Sequence, residues 1–244
     1  MKKILLFFAI VSVAGMLASC NGNGKTAEVT KEEEPANVVV EEPTTGSLAG
    51  HDWVDLGLPS GTKWATCNVG ASTPEEAGDY FAWGETAKKD TYLWTNYRFR
   101  ESGDNYDNIK FNKYNTNEDY GIIDGLVALE AADDAATANW GEGWLMPTND
   151  EFRELTDSST MTWTTRNDVK GYEIVGPNGN SIFIPAVGHY KDDGLAEGKG
   201  CYWTSTLENG HTLDARYMNL GFNVFATVSY LRYCGLSVRP VCAE

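Results

Sequence analysis

Cysteine, histidine, carboxylate and aromatic side chains are where this chain could do chemistry, and each class sets its own limits. Five cysteines are present: Cys20, Cys67, Cys201, Cys234 and Cys242. No CxxC spacing or nearby histidine accompanies them, so a zinc site is not indicated. Cys234 and Cys242 fall on one predicted strand, roughly 25 Å apart if extended, and cannot bridge each other. Two pairings of the four later cysteines stay open: Cys67–Cys242 with Cys201–Cys234, or Cys67–Cys234 with Cys201–Cys242; the alternative is four reduced thiols. His51, His189 and His211 are isolated, and neither HExxH nor GxSxG occurs. A glycine-rich phosphate loop and a dinucleotide fingerprint are absent as well. With 35 acidic residues, no single pair stands out as a glycosidase acid and base.

Residues 104–119 are rich in Asp and Asn, and Asn115, Asn117 and Asp119 alternate as calcium ligands do. Tyr120 stands where the EF-hand glycine belongs and Leu126 where its bidentate glutamate belongs, so that loop is excluded. The segment reads as a calcium loop of another kind or as a polar loop satisfying its own backbone. Tyr92, Trp94, Tyr97 and Phe99 alternate between Lys88 and Arg100. On a strand this spacing turns some rings to solvent, where they stack on sugars or anchor protein contacts. Trp94 is the expected stacking ring, with Tyr92 and Tyr97 beside it and Arg98 or Arg100 donating hydrogen bonds. The alternative is that the rings fill a core.

The carrier of these residues has 244 residues and a formal net charge of −16. That acid excess argues against nucleic acid as a partner. Hydrophobic residues make up 42% of the chain, enough for a core. Lys2 and Lys3 precede an apolar run over residues 4–17, too short for a hydrocarbon core of roughly 30 Å. This is a signal segment. It ends in Leu17-Ala18-Ser19-Cys20, which resembles the lipobox of bacterial lipoproteins. The resemblance implies cleavage after residue 19, diacylglycerol on the Cys20 sulfur and anchoring in a membrane.

Residues 20–50 are Gly, Thr, Glu and Pro with almost no aromatics, which reads as a lipidated disordered tether. Glu32-Glu33-Glu34 resembles the surface-export signal of Bacteroidetes lipoproteins, though it lies further from the cysteine than usual; the alternative is a solvated charge run. A single folded domain is expected over 51–244. Strands are predicted at 64–69 and 79–84. Leu126, Leu129, Ala132, Ala135, Ala136 and Trp140 recur at helical spacing, with Gly141 as the stop. Thr148 and Glu151 form a capping box for a second helix with Phe152 and Leu155 on its apolar stripe. A hairpin joins 172–175 to 181–185, and strands follow at 202–205, 215–220, 224–230 and 236–241. Strands, then two helices, then strands give an α+β class.

Several ordered motifs carry a family resemblance. They are Trp64-Ala65-Thr66-Cys67-Asn68-Val69-Gly70-Ala71, Asn139-Trp140-Gly141 leading to Trp144-Leu145-Met146-Pro147-Thr148, Tyr202-Trp203-Thr204-Ser205-Thr206, and Gly235-Leu236-Ser237-Val238-Arg239-Pro240-Val241. Together they resemble the Fibrobacter succinogenes major paralogous domain across residues 51–244. Leu145 departs from the family, which usually has Arg there. The resemblance implies a C-type-lectin-like fold related to the formylglycine-generating enzymes, with two helices, short antiparallel strands and long loops. It also favours the Cys67–Cys242 and Cys201–Cys234 bridges, because first and last strands adjoin in such folds. The copper-binding cysteine pair of the formylglycine-generating relatives has no local match here, so no cofactor is expected from that source. The expected function is a non-catalytic binding module, lipid-anchored to the outer membrane and displayed on the cell surface, with a glycan or surface protein as ligand. A structural or fimbria-associated subunit and an acid-pair hydrolase are the alternatives.

Overall fold

The computed structural model describes residues 44–242. The signal segment, the Cys20 anchor and most of the expected tether lie outside them. In chain order the strands are β1 (Thr45–Leu48), β2 (His51–Asp55), β3 (Lys63–Ala65), β4 (Arg100–Ser102), β5 (Lys110–Phe111), β6 (Trp144–Leu145), β7 (Thr160–Arg166) and β8 (Val169–Val175). They continue as β9 (Ser181–Pro185), β10 (His189–Lys191), β11 (Gly194–Ala196), β12 (Gly200–Leu207), β13 (Asp214–Gly221), β14 (Val224–Leu231) and β15 (Val241–Cys242). Two α-helices, α1 (Ala135–Trp140) and α2 (Asn149–Ser158), lie before and after β6. No helix among the described residues is long and apolar enough to cross a membrane.

The strands form several small antiparallel sheets: β1-β2-β3-β15-β6, β7-β8-β9, β12-β13-β14, and the pairs β4-β5 and β10-β11. This corrects the α+β expectation and the lectin-like plan built on it. The protein is mostly β, with 39% strand and 13% helix. The expected helix from Leu126 to Trp140 shrinks to six residues because Asp134 caps it late. The Asp134 Oδ1 accepts the amides of Ala136 and Thr137 at 2.8 and 3.0 Å, which fixes the helix start there. Upstream, Ala128 bridges Thr206 and the Leu129 amide donates to Ser205 O, so that stretch is extended. Gly141, at φ 97°, ends the helix as expected.

Other readings survive. α2 carries the Thr148–Glu151 capping box and buries Phe152 and Leu155. The 172–185 hairpin forms, with Val175 across from Ser181. β1 falls within the span 20–50 read as tether and pairs there with β2 of the domain expected from residue 51. β7 was not foreseen; it joins β8 through Asn167 and Asp168, both at positive φ, as a two-residue hairpin turn requires.

Two apolar clusters support these sheets. One gathers Trp83, Trp144, Trp203 and Tyr114; the other gathers Trp64, Phe152, Ile174, Ile184 and Met218. Two fully buried arginines fasten the loops to this core. Arg239 donates through Nε to Asn68 Oδ1 and through Nη1 to the carbonyls of Ala65 and Thr66. Arg232 donates to the carbonyls of Tyr114, Thr212 and Lys113 and lies 3.8 Å from the Phe111 ring centroid.

Candidate functional site

The aromatic segment expected to face solvent is core instead. Trp94–Asn96 forms a 3-10 turn rather than a strand, and Tyr92, Trp94, Tyr97 and Phe99 are all at least nine-tenths buried. The Tyr92 hydroxyl donates to Tyr80 O at 2.6 Å and the Tyr97 hydroxyl to Trp83 O at 2.8 Å. Burial pushes the Tyr92 hydroxyl up to about 12, so it stays a donor. Arg98 pairs with the buried Asp133 at 3.0 Å, and Arg100 donates through Nε to Gly103 O. Both guanidiniums therefore hold the scaffold. Period-two spacing cannot separate a surface strand from a segment enclosed on both sides.

The cysteines also differ from the expected pairings, for no disulfide joins Cys67, Cys201, Cys234 or Cys242. Strand β15 does lie beside β3, but Cys242 stands opposite Lys63. Cys67 lies in the bend that follows β3, not on the strand opposite Cys242, and forms no disulfide with it. Cys201 Sγ instead faces His189 Nδ1 at 3.6 Å, and His189 Nε2 meets the Tyr230 hydroxyl at 3.2 Å. Burial raises both the Cys201 and Cys234 thiols to about 12. A thiol held neutral in this way is not a primed nucleophile.

The polar loop over 104–119 satisfies its own backbone. Asn108 Oδ1 accepts the Asp104 and Asn105 amides, and Asn117 Oδ1 accepts that of Asp119. Among the described residues no group of three or more His, Cys, Asp or Glu is placed to hold a metal ion. Glu208, His211 and Asp214 do share a cavity, but both Glu208 oxygens are engaged by Arg216, at 2.5 and 2.9 Å. That carboxylate is committed to an ion pair.

An open cleft with aromatic walls lies elsewhere, between the β7–β8 hairpin, residues 186–187 and the β10–β11 hairpin. Its volume is about 490 Å³. Tyr80, Trp163, Val169, Val187 and Leu195 supply its aromatic and apolar lining. Trp163 is half-buried, with its ring edge-on to Tyr172 at 5.1 Å and to Phe222 at 6.2 Å. Tyr80 is fixed by its hydroxyl, which donates to Val187 O at 2.5 Å, and by an edge contact with Tyr190 at 4.9 Å. The hairpin carrying Trp163 is tied down at its turn, where Glu75 takes Arg166 Nε at 2.8 Å and Asn167 Nδ2 at 3.0 Å. Asp168, Lys170 and Glu197 complete the lining, which contains no serine, cysteine or histidine. Rigid rings beside a few charged hydrogen-bonding groups suit a ligand with apolar faces and polar edges.

His189 sits at the start of the β10–β11 hairpin, whose Leu195 lines the cleft. Burial lowers its pKa below 6.5, with Lys199 and Lys191 adding to the effect. Cys201, Tyr230, Lys191 and Lys199 surround it, so no carboxylate compensates a charge there. A depressed histidine pKa gives stability that is present above 6.5 and is lost as pH falls towards the folded-state value. Thermal melts from pH 7 down to pH 5 will therefore fall more steeply for wild type than for His189→Gln. His51, also lowered by burial where it stacks 3.8 Å from Trp140, leaves a residual slope in both. Parallel slopes would show that His189 is not held neutral.

A scan against protein-family models finds no match, and searches of curated proteins and of solved structures find none either.

Proposed function

We propose that this chain is a non-catalytic binding module, lipid-anchored at the outer membrane and displayed on the cell surface, with a glycan or surface protein held in the Trp163 cleft. The observation that carries this reading is the half-buried Trp163 ring standing in the wall of a cavity of about 490 Å³. A sugar ring or an apolar side chain lies against Trp163 and Tyr80, while Asp168, Lys170 and Glu197 reach its polar edge. Membership of the Fibrobacter succinogenes major paralogous domain family belongs to the same proposal. It is supported by the pairing of the motif residues Trp64 and Val241 on adjacent strands, with Trp144 on the strand beyond. The test is binding of the full chain to arrayed glycans and surface proteins, with Trp163→Ala as the variant that loses it.

The anchor supplies a separate expectation. Cys20 is the proposed lipid attachment, and two or more acyl chains hold a protein stably where one is marginal. The wild-type chain will fractionate with membranes, and Cys20→Ala will move to the soluble fraction. Membrane retention of the alanine variant would remove the lipid anchor from the reading.

A further inference from the structure

A second cavity, of about 360 Å³, shares no lining residue with the Trp163 cleft. Its lining brings together three aromatic rings, Trp94, Tyr106 and Tyr233, and two carboxylates, Asp104 and Asp192. No lysine, arginine or histidine is among the lining residues. Trp94 packs on Tyr233 at 4.5 Å, and both are at least nine-tenths buried, so a small part of each reaches the cavity. Tyr106 is 49% exposed. Asp192 is fixed through its backbone, which exchanges two hydrogen bonds with that of Tyr92. Its carboxylate has no hydrogen bond or ion pair among the described residues. Asp104 accepts the Asn105 and Asn108 side-chain amides, both on Oδ1, which leaves Oδ2 open. Arg100 does not neutralise these acids, because its guanidinium donates to the carbonyls of Gly103 and Thr95.

We propose that this cavity binds a primary alkylammonium group, independently of any ligand in the Trp163 cleft. Uncompensated carboxylates set beside π faces take an organic cation: the rings attract its charge and cover its methylene stem. Two carboxylates favour a primary ammonium over a quaternary one, since only N–H groups use their acceptor oxygens. The net charge of −16 works in the same direction, drawing cations towards the chain and repelling anions. Trp94 adds an observation of another kind. Its Nε1 is buried and has no hydrogen-bond partner among the described residues, a cost that folded proteins seldom leave in place. A peptide lysine brings carbonyl acceptors along with its ammonium, which a free diamine lacks, so a peptide is the expected source.

NMR titration of the full chain in detergent micelles, read at the Trp94 indole N–H, tests this. The probes are a capped Gly-Lys-Gly peptide and cadaverine, with pentanediol as the uncharged match of cadaverine. Both amines will shift that resonance, pentanediol will leave it in place, and added salt will weaken the binding. Asp192→Asn removes one charge, and asparagine tolerates the φ of 59° at this position, so the fold is kept while affinity falls roughly fivefold. Tyr106→Ala, at a half-exposed ring, will lower affinity roughly threefold. Either amine binding supports the site; tighter binding by the peptide assigns it to a protein lysine, and tighter binding by cadaverine to a free polyamine. No response to either amine, an equal response to pentanediol, or a folded Asp192→Asn chain that binds as tightly as wild type would each overturn the proposal.

Discussion

Arg232→Ala will lower the free energy of unfolding by about 3 kcal/mol or more, a large share of a domain's usual stability. The guanidinium is fully buried and donates to three backbone carbonyls, those of Tyr114, Thr212 and Lys113, at 2.7 to 3.0 Å. Truncation strands two buried acceptors, the carbonyls of Tyr114 and Thr212, and a part-buried third on Lys113, each buried one costing about 1–3 kcal/mol without a partner. It also opens a void against Phe111, whose ring centroid lies 3.8 Å from the guanidinium carbon. One effect opposes these: burial lowers the Arg232 pKa, so the native state already bears a cost for holding this charge. Three lost hydrogen bonds and the void outweigh that relief. Lysine will rescue little, because an ammonium lacks the planar fork that spans separate carbonyls. Urea unfolding monitored by tryptophan fluorescence checks this; a midpoint matching wild type would show that the carbonyls find other partners.

What the sequence made legible was local. The Thr148–Glu151 box, the Gly141 stop and the turn at 176–180 each act within a few residues, and each appears where their side chains dictate. The failures are tertiary. The apolar spacing from Leu126 to Trp140 is helical, yet the Ala128–Thr206 bridge takes its first half into extended structure. Tyr92, Tyr97 and Phe99 alternate as a surface strand would, but surrounding loops enclose both sides. Trp163 was missed for a different reason. Its strand carries only two apolar residues, Met161 and Trp163, alternating with threonine, so the signal is short, and Asn167-Asp168, two residues tolerant of positive φ, signals the hairpin. Pairing that turn with the run at 169–175 would have placed Trp163 opposite Tyr172.

Trp163→Ala will fold and will lose ligand. The ring is only half-buried, and its contacts with Tyr172 and Phe222 are edge contacts at 5.1 and 6.2 Å. Register on β7 is held independently by seven residue pairs with β8 and by the Glu75 tie at the turn. Stability should therefore fall by about 1–2 kcal/mol, below the cost of truncating a fully buried tryptophan. Binding suffers more. Removing a central aromatic anchor commonly costs about 2 kcal/mol or more, roughly thirtyfold in affinity. Trp94→Ala provides the contrast: that ring packs on Tyr233 at 4.5 Å within the core, so its loss will act on stability.

The most direct measurement is a side-by-side array of glycans and surface proteins probed with the full wild-type chain and with Trp163→Ala. The account predicts ligands retained by wild type whose signal falls at least roughly thirtyfold in the folded variant. Equal binding by both chains, or a wild type that retains nothing, would contradict it.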